Sequence, residues 1–275
     1  MSANITGTAR LAARFAARKA QNEAAFIAYI MGGDPDVKTA QKLLDGLPGA
    51  GADIIELGLP FTDPMADGPA IQAAALRALN AGVRTRAVLA MAARFRKKDQ
   101  QTPLIVMGYY NPVHHMGCAA FTNACVEAGV DGAIIVDLPP EEDAPLRAAF
   151  DDASLALIRL ATPTTDDQRL PTVVAGTSGF VYYVSVAGIT GALVPDADPV
   201  ARAVTRIRTA SGLPVAVGFG VRTTQKAAQI ARVADGVVVG SAIVDAMAKN
   251  GVEAALKLTR GLSEAVHKAR SESTS

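Results

Sequence analysis

The feature that most restricts the fold of this chain is an alternation of strand and helix that repeats eight times after Ala25. Short apolar runs, rich in residues that favour β-structure, each precede an amphipathic or alanine-rich helix. Strands that are apolar along nearly their whole length and are joined by helices are typical of a parallel sheet covered on its outer face. The predicted strands are 26–31, 53–58, 104–108, 132–137, 155–160, 180–185, 214–218 and 236–240.

Eight comparable units favour closure of the sheet. Right-handed crossovers of this number and length form a (β/α)8 barrel more naturally than an open doubly wound sheet, which is the competing architecture. We therefore predict an α/β protein in which residues 1–275 form one (β/α)8 TIM barrel domain. A helix at about 8–20 precedes the first strand, short extra helices are expected near the late strands, and 271–275 form a frayed tail.

The composition excludes several classes of partner. A net charge of +1 does not provide the excess of positive charge that binds nucleic acid or an anionic membrane surface. No apolar run reaches the roughly 20 residues that span a bilayer, and the first residues do not resemble a secretory signal. Cys118 and Cys125 are too far apart on one predicted helix for a disulfide, so we expect reduced thiols in a cytoplasmic protein. The histidine spacing predicts no metal site.

Two sets of polar residues are predicted to lie in solvent. Arg10, Arg14 and Arg18 recur every four residues on the first helix, which is the pattern of a solvated basic face. His267 on the last helix is likewise expected at the surface.

Two carboxylates stand out near the second strand. Glu56 interrupts an apolar strand at its carboxyl end, where a carboxylate is costly to bury unless something uses it. Asp67 follows in a loop stiffened by Pro60 and Pro64. The two residues are a candidate acid–base pair. The alternatives are a salt bridge that caps the strand for Glu56 and an N-cap of the next helix for Asp67.

Glycine-bearing loops follow the last three strands, at 187–191, 218–222 and 240–244. In barrels of this kind, phosphate sites are often built from the loops after strands seven and eight and from the N-terminus of a short extra helix. Glycines let backbone N–H groups approach phosphate oxygens, and Ser241 adds a hydroxyl donor. Ordinary turns between strand and helix are the alternative interpretation.

Several motifs resemble the tryptophan synthase alpha subunit family, in the same order along the chain. They are Glu-Leu-Gly-Leu-Pro-Phe-Thr-Asp-Pro-Met-Ala-Asp-Gly-Pro at 56–69, Gly-Asp-Pro at 33–35, Tyr-Tyr-Asn-Pro at 109–112, Val-Asp-Leu-Pro at 136–139, Gly-Ile-Thr-Gly at 188–191, Gly-Phe-Gly at 218–220 and Gly-Ser-Ala-Ile at 240–243. The resemblance implies a lyase of tryptophan biosynthesis that cleaves indole-3-glycerol phosphate to indole and glyceraldehyde 3-phosphate. It also implies an α2β2 heterotetramer, with pyridoxal phosphate only in the beta subunit and no cofactor in this chain. The loops after strands two and six, rich in glycine and proline, predict allosteric coupling to that subunit.

The same resemblance assigns roles to individual residues. Glu56 matches the catalytic acid/base and Asp67 the acceptor of the indole N–H. Thr190 matches the threonine of a lid after strand six, and Tyr182 a tyrosine near the acid/base. The phosphate cradle would comprise Gly191, Gly218, Gly220, Gly240 and Ser241, and the indole pocket Tyr29, Met107 and Tyr109.

Physical chemistry fits this division of roles. Apolar neighbours on the second strand should raise the pKa of Glu56, whereas Asp67, on a wetter loop, should stay ionised until the lid shuts. Two other functions stay open at this point. One is a non-catalytic subunit that only activates a beta partner. The other is a different phosphate-binding barrel enzyme of amino-acid biosynthesis, although such an enzyme would be expected to use strand-end lysines, and the eight predicted strands contain none.

Overall fold

The computed structural model describes residues 6–185, 197–218 and 220–271. Eight parallel strands close into a barrel in sequence order, with β1 paired to both β2 and β8. This confirms the predicted (β/α)8 TIM barrel. The strands are β1 (Ala25–Met31), β2 (Ile54–Gly58), β3 (Leu104–Gly108), β4 (Gly132–Ile135), β5 (Ala156–Ala161), β6 (Val181–Val184), β7 (Val215–Gly218) and β8 (Gly236–Val239).

Helices surround the barrel, and one lies before β1 as predicted. They are α1 (Gly7–Ala20), α2 (Val37–Gly46), α3 (Pro69–Asn80), α4 (Thr85–Arg96), α5 (Tyr110–Met116), α6 (Cys118–Glu127), α7 (Ala144–Asp152), α8 (Leu170–Val174), α9 (Ala197–Ser211), α10 (Thr224–Ala231) and α11 (Ser241–Lys268), with a 3₁₀ turn at Pro48–Ala50. Gly251, at φ 79° and ψ −174°, breaks α11. The segment before it is the short extra helix expected after the last strand.

Strand β4 is shorter than predicted, ending at Ile135 rather than at Asp137. The Asp137 carboxylate accepts the backbone N–H of Tyr110 at 2.7 Å. That N–H begins α5 and has no partner within the helix. The Asp137 side chain therefore accepts a hydrogen bond from the first turn of α5, and the residue does not extend the sheet.

The core has two layers on opposite faces of the sheet. Inside the barrel, isoleucines from consecutive strands pack on Phe15 and Phe180, and the larger layer lies between the strands and the helices. Side chains two residues apart in a strand point to the same face. The inward positions of Ile27, Ile54 and Ile105 therefore place the residues two further along, Tyr29, Glu56 and Met107, inward at the upper end of the barrel.

The prediction of a solvated arginine stripe on α1 was wrong. Arg10 is buried and forms an ion pair with Asp131, which also contacts Arg96 at 3.0 Å. Arg18 donates from Nε to Asp53 at 2.7 Å. Asp53 and Asp131 immediately precede β2 and β4, so the basic face of α1 lies against the amino-terminal end of the barrel.

The prediction for His267 was also wrong. Its Nε2 lies 2.7 Å from Oδ2 of Asp53, and its side chain is 19% exposed. The last helix therefore meets the same carboxylate as α1. The other two histidines, His114 and His115, are exposed as expected.

Both cysteines are free and lie on α6. Burial raises the pKa of the Cys125 thiol to about 12. Across the described ranges, no helix combines the length and apolar character needed to cross a membrane.

Replacing Asp131 with Ala should destabilise the fold strongly. Asp131 is fully buried and accepts hydrogen bonds from Arg10, Arg96 and the N–H groups of Gly7 and Leu104. Removing the carboxylate leaves two largely buried guanidinium groups without it, a change that costs about 3–5 kcal/mol of unfolding free energy. Urea denaturation measures this loss.

The matched control is Glu141→Ala, which breaks an exposed ion pair with Arg169 and should leave the denaturation midpoint unchanged. Equal midpoints for both variants would contradict the structural role of Asp131.

Candidate active site

Glu56 lies at the carboxyl end of β2, between two neighbouring strands. Its Cα is in register with Tyr29 on β1 and with Ile105 on β3. The side chain is 1% exposed, and Oε2 has no hydrogen-bond partner in the described part of the chain. No described cation contacts this carboxyl group. The alternative role of Glu56, a salt bridge that caps the strand, is therefore not formed with any described residue.

Burial sets the protonation state of Glu56. Loss of solvation raises the pKa of Glu56 to about 8, and the negative charge of Asp67 contributes in the same direction. Apolar walls on β2 predicted this direction. A carboxyl group with this pKa is mostly protonated near neutral pH, and it can both give up and take back a proton there.

Asp67 lies in the loop between β2 and α3, near Glu56. Burial raises the pKa of Asp67 to about 6, and a hydrogen bond from the Tyr109 hydroxyl partly offsets the rise. Asp67 is half-buried and therefore wetter than Glu56, as expected, and a pKa of about 6 leaves it mostly ionised at neutral pH. Its alternative role as an N-cap is not realised, because Gly68 occupies that position of α3.

Tyr109 holds this loop by three contacts. Its ring stacks on Phe61 with centroids 5.3 Å apart, and its hydroxyl accepts the backbone N–H of Ala66 at 3.1 Å. The same hydroxyl donates to the Asp67 carboxylate. The sequence predicted Tyr109 only as an indole-packing residue, because nothing local shows that the residue after β3 reaches the loop after β2.

Glycines at three strand ends make room for two site tyrosines. A Cβ atom at Gly58 would lie 2.3 Å from the Tyr29 hydroxyl, and one at Gly218 would lie 2.2 Å from the Tyr182 hydroxyl. A Cβ atom at Gly240 would lie 3.1 Å from Cδ1 of Tyr29. Gly218 and Gly240, predicted for phosphate, therefore also have a packing role that sequence patterns do not show.

Both tyrosines stay protonated. Burial raises the pKa of Tyr29 and of Tyr182 well above the usual value, and the charges of Glu56 and Asp67 add to the effect. Met107 lies partly buried at the end of β3. The structure thus brings these residues to the same rim as Glu56.

The described part of the predicted phosphate cradle lies at the ends of β7 and β8. Gly220 has φ +73°, a left-handed conformation, and open space where a Cβ atom would be. Ser241 is the first residue of α11, directly after Gly240. The first N–H groups of a helix lack intrahelical partners and favour anions. The other two predicted members, Thr190 of the lid and Gly191 of the cradle, lie outside the described residues.

Known proteins share both the sequence and this architecture. Residues 15–272 match the profile of the family described as tryptophan synthase alpha chain. The chain belongs to this family. It is 58% identical over 257 residues to the tryptophan synthase alpha chain of Caulobacter sp. strain K31, covering 94% of this chain and 92% of that one.

Solved structures agree with the sequence comparison. A chain of tryptophan synthase from M. tuberculosis, crystallised in an open form with BRD0059 bound, superimposes with a TM-score of 0.86 at 37% identity. That match covers 95% of this chain and 99% of the other. Tryptophan synthase subunit alpha from Legionella pneumophila str. Paris gives the same TM-score and identity, with coverages of 94% and 98%.

Family membership settles the reaction class. The protein is a lyase of tryptophan biosynthesis, and its reaction is the alpha reaction, the cleavage of indole-3-glycerol phosphate to indole and glyceraldehyde 3-phosphate.

The burial of Glu56 predicts a stability difference that depends on pH. The folded-state pKa of about 8 exceeds the usual value of 4.5. The folded protein therefore binds more protons than the unfolded chain between these values, so stability falls as pH rises through this window. Glu56→Gln removes this loss, so the variant should be more stable than the wild type at pH 8, by on the order of a few kcal/mol. Urea denaturation at several pH values between 4 and 9 measures the difference.

The difference should shrink toward pH 4, where the carboxyl group is protonated in both states. A constant difference across the whole range would contradict the raised pKa.

Proposed function

We propose that Glu56 and Asp67 carry the proton transfers that cleave indole-3-glycerol phosphate. The observation that carries the proposal is the buried Glu56 carboxyl group at the barrel rim, whose Oε2 has no hydrogen-bond partner among the described residues. Protonated Glu56 gives its proton to indole C3 while Asp67 takes the indole N–H proton. The Glu56 carboxylate then takes the proton of the hydroxyl next to the breaking C–C bond. The electrons of that bond return to the ring, and the nitrogen regains its proton from Asp67.

The pKa values suit this sequence of transfers. Glu56, with a pKa of about 8, is an acid that is available at neutral pH, whereas Asp67, with a pKa of about 6, is mostly an acceptor. Two carboxyl groups whose environments separate their pKa values divide the roles of acid and base. Tyr109 contributes by holding the loop that carries Asp67, in addition to its proposed place in the indole pocket.

The rest of the site is assigned to the two halves of the substrate. Gly218, Gly220, Gly240 and Ser241, together with Gly191, are proposed to hold the phosphate, and Thr190 to act on the lid. The indole ring is assigned to Tyr29, Met107 and Tyr109, with Tyr182 beside Glu56. Support comes from the rim position of the described members of both groups and from the order of the family motifs.

A tryptophan synthase alpha chain implies a beta-subunit partner. We propose an allosteric α2β2 heterotetramer in which the beta subunit holds pyridoxal phosphate and this chain, one barrel domain, needs no cofactor. Its free cysteines are in keeping with the cytoplasm. A purely regulatory subunit is not favoured, because a docking surface does not require a buried carboxyl group with an oxygen that has no described partner.

Glu56→Gln should lower indole release by a factor of about 10²–10⁴, since an amide cannot shuttle the proton between carbon and oxygen. The measurement is indole release from indole-3-glycerol phosphate, with and without added beta subunit, on a variant whose circular dichroism matches the wild type. Glu142→Gln, a change of the same kind outside the site, is the matched control. Near-normal turnover in Glu56→Gln would refute the assignment.

The pH profile of kcat/KM should be bell-shaped, with apparent pKa values for the coupled pair near 6 and 8. Activity falls below the first value as Asp67 becomes protonated and above the second as Glu56 loses its proton.

Tyr109→Phe removes the hydrogen bond that lowers the pKa of Asp67, so the acidic limb of the pH profile of this variant should move to higher pH. An acidic limb that did not move would contradict the role given to the hydroxyl.

A further inference from the structure

Arg222 and Asp245 form an ion pair that connects the two described loops of the predicted phosphate cradle. Arg222 lies two residues after Gly220 in the turn that follows β7, and Asp245 lies on α11, which follows β8. Nη2 of Arg222 donates to Oδ2 of Asp245. The pair therefore links the segment after β7 to the segment after β8.

The backbone at Arg222 is fixed on both sides. Val221 is buried in the core with 4% exposure. Thr223 caps α10, with its hydroxyl accepting the N–H of Lys226 at 3.3 Å. The arginine side chain therefore extends from an anchored turn toward α11.

Asp245 lies on the face of α11 that also carries Ser241. Helix residues four positions apart lie about 6 Å apart along the axis on the same face, and helical side chains lean toward the amino-terminal end. The carboxylate therefore lies close to the helix start to which the phosphate is assigned. Without a neutralising partner, its charge would repel a phosphate there, because such repulsion is weakly screened at a protein surface of reduced dielectric.

A second arginine approaches Asp245 from α3, but it is engaged elsewhere. Arg77 holds Asp34 through two hydrogen bonds of 2.7 and 2.8 Å. The pKa of Arg77 is raised first by these bonds and also by the charge of Asp245. Among the described residues, Arg222 is the cation in direct contact with Asp245.

We propose that Arg222, acting through Asp245, is a positioning residue for the phosphate of the substrate. It neutralises a carboxylate near the start of α11 that would otherwise oppose the phosphate. The inference rests on the proposed function in taking the ligand to be a phosphate ester. The proposal does not require Arg222 to contact the phosphate directly.

The first test is Arg222→Ala in the full-length chain. KM for indole-3-glycerol phosphate should rise about tenfold while kcat changes by less than about twofold, because phosphate binding is weakened and the carboxylates are untouched. Isothermal titration with inorganic phosphate should show a similar loss of affinity. An unchanged KM and an unchanged phosphate affinity would overturn the proposal.

The second test separates neutralisation from direct contact. In Arg222→Ala/Asp245→Asn both charges are gone, so KM should return to within about threefold of the wild type. A double variant as weak as Arg222→Ala would mean that the arginine does not act through Asp245, and the proposal would fail.

Arg208→Ala is the matched control. Arg208 contacts Asp235 at 2.9 Å, just before β8 at the opposite end of the barrel, and the two side chains are 41% and 27% exposed, against 55% and 27% for Arg222 and Asp245. KM should not change in this variant. An equal rise would show a general effect of lost positive charge and would overturn the proposal.

The wild type separates failure of this proposal from failure of the proposed function. If the wild type releases no indole but Arg222→Ala still weakens inorganic phosphate binding, the proposed function is refuted and the role of Arg222 is supported. If the wild type is active and Arg222→Ala has the same KM and phosphate affinity, only the role of Arg222 is refuted.

Discussion

Closure of the sheet between β1 and β8 is the constraint on which the site depends. Because every strand runs parallel and the sheet has no edge, all carboxyl ends meet at one rim. Closure also places one face of each strand inside the barrel, where side chains are shielded from solvent. Glu56, two residues after Ile54, is therefore buried by the geometry of the barrel itself, and its raised pKa follows from where the strand ends.

Buried carboxylates in this barrel differ in whether their oxygens have described partners. At the amino-terminal end, Asp131 accepts four hydrogen bonds and Asp53 meets Arg18 and His267. At the carboxyl end, Glu56 leaves a buried oxygen without a described partner. An unmet polar atom in a core costs stability, and the paired carboxylates at the other end show that this fold can satisfy such groups. The contrast distinguishes Glu56, the carboxyl group proposed to react, from the carboxylates that hold the structure together.

The sequence predicts the fold well because its signals are local. Apolar runs and helical periodicity fixed eight strands with ends within about two residues, and Glu56 was conspicuous as a charge inside an apolar run. The errors have the opposite origin. Arg10 finds Asp131 at a separation of 121 residues, and His267 finds Asp53 at 214. No pattern within α1 or α11 shows such partners. The contacts of Tyr109 with the preceding loop, and of Gly218 with Tyr182, are hidden for the same reason.

The long separations at the amino-terminal end have a consequence for the order in which the molecule can be assembled. Helix α1 is synthesised before its partner Asp131, which follows more than one hundred residues later, and the N–H of Thr8 bonds the carbonyl of Ser154. During translation the helix therefore gains these partners only after Ser154 has been synthesised. Asp53 gains its last partner only when α11 is complete. Helices α1 and α11 therefore complete the amino-terminal end of the barrel only after the strands between them have been synthesised.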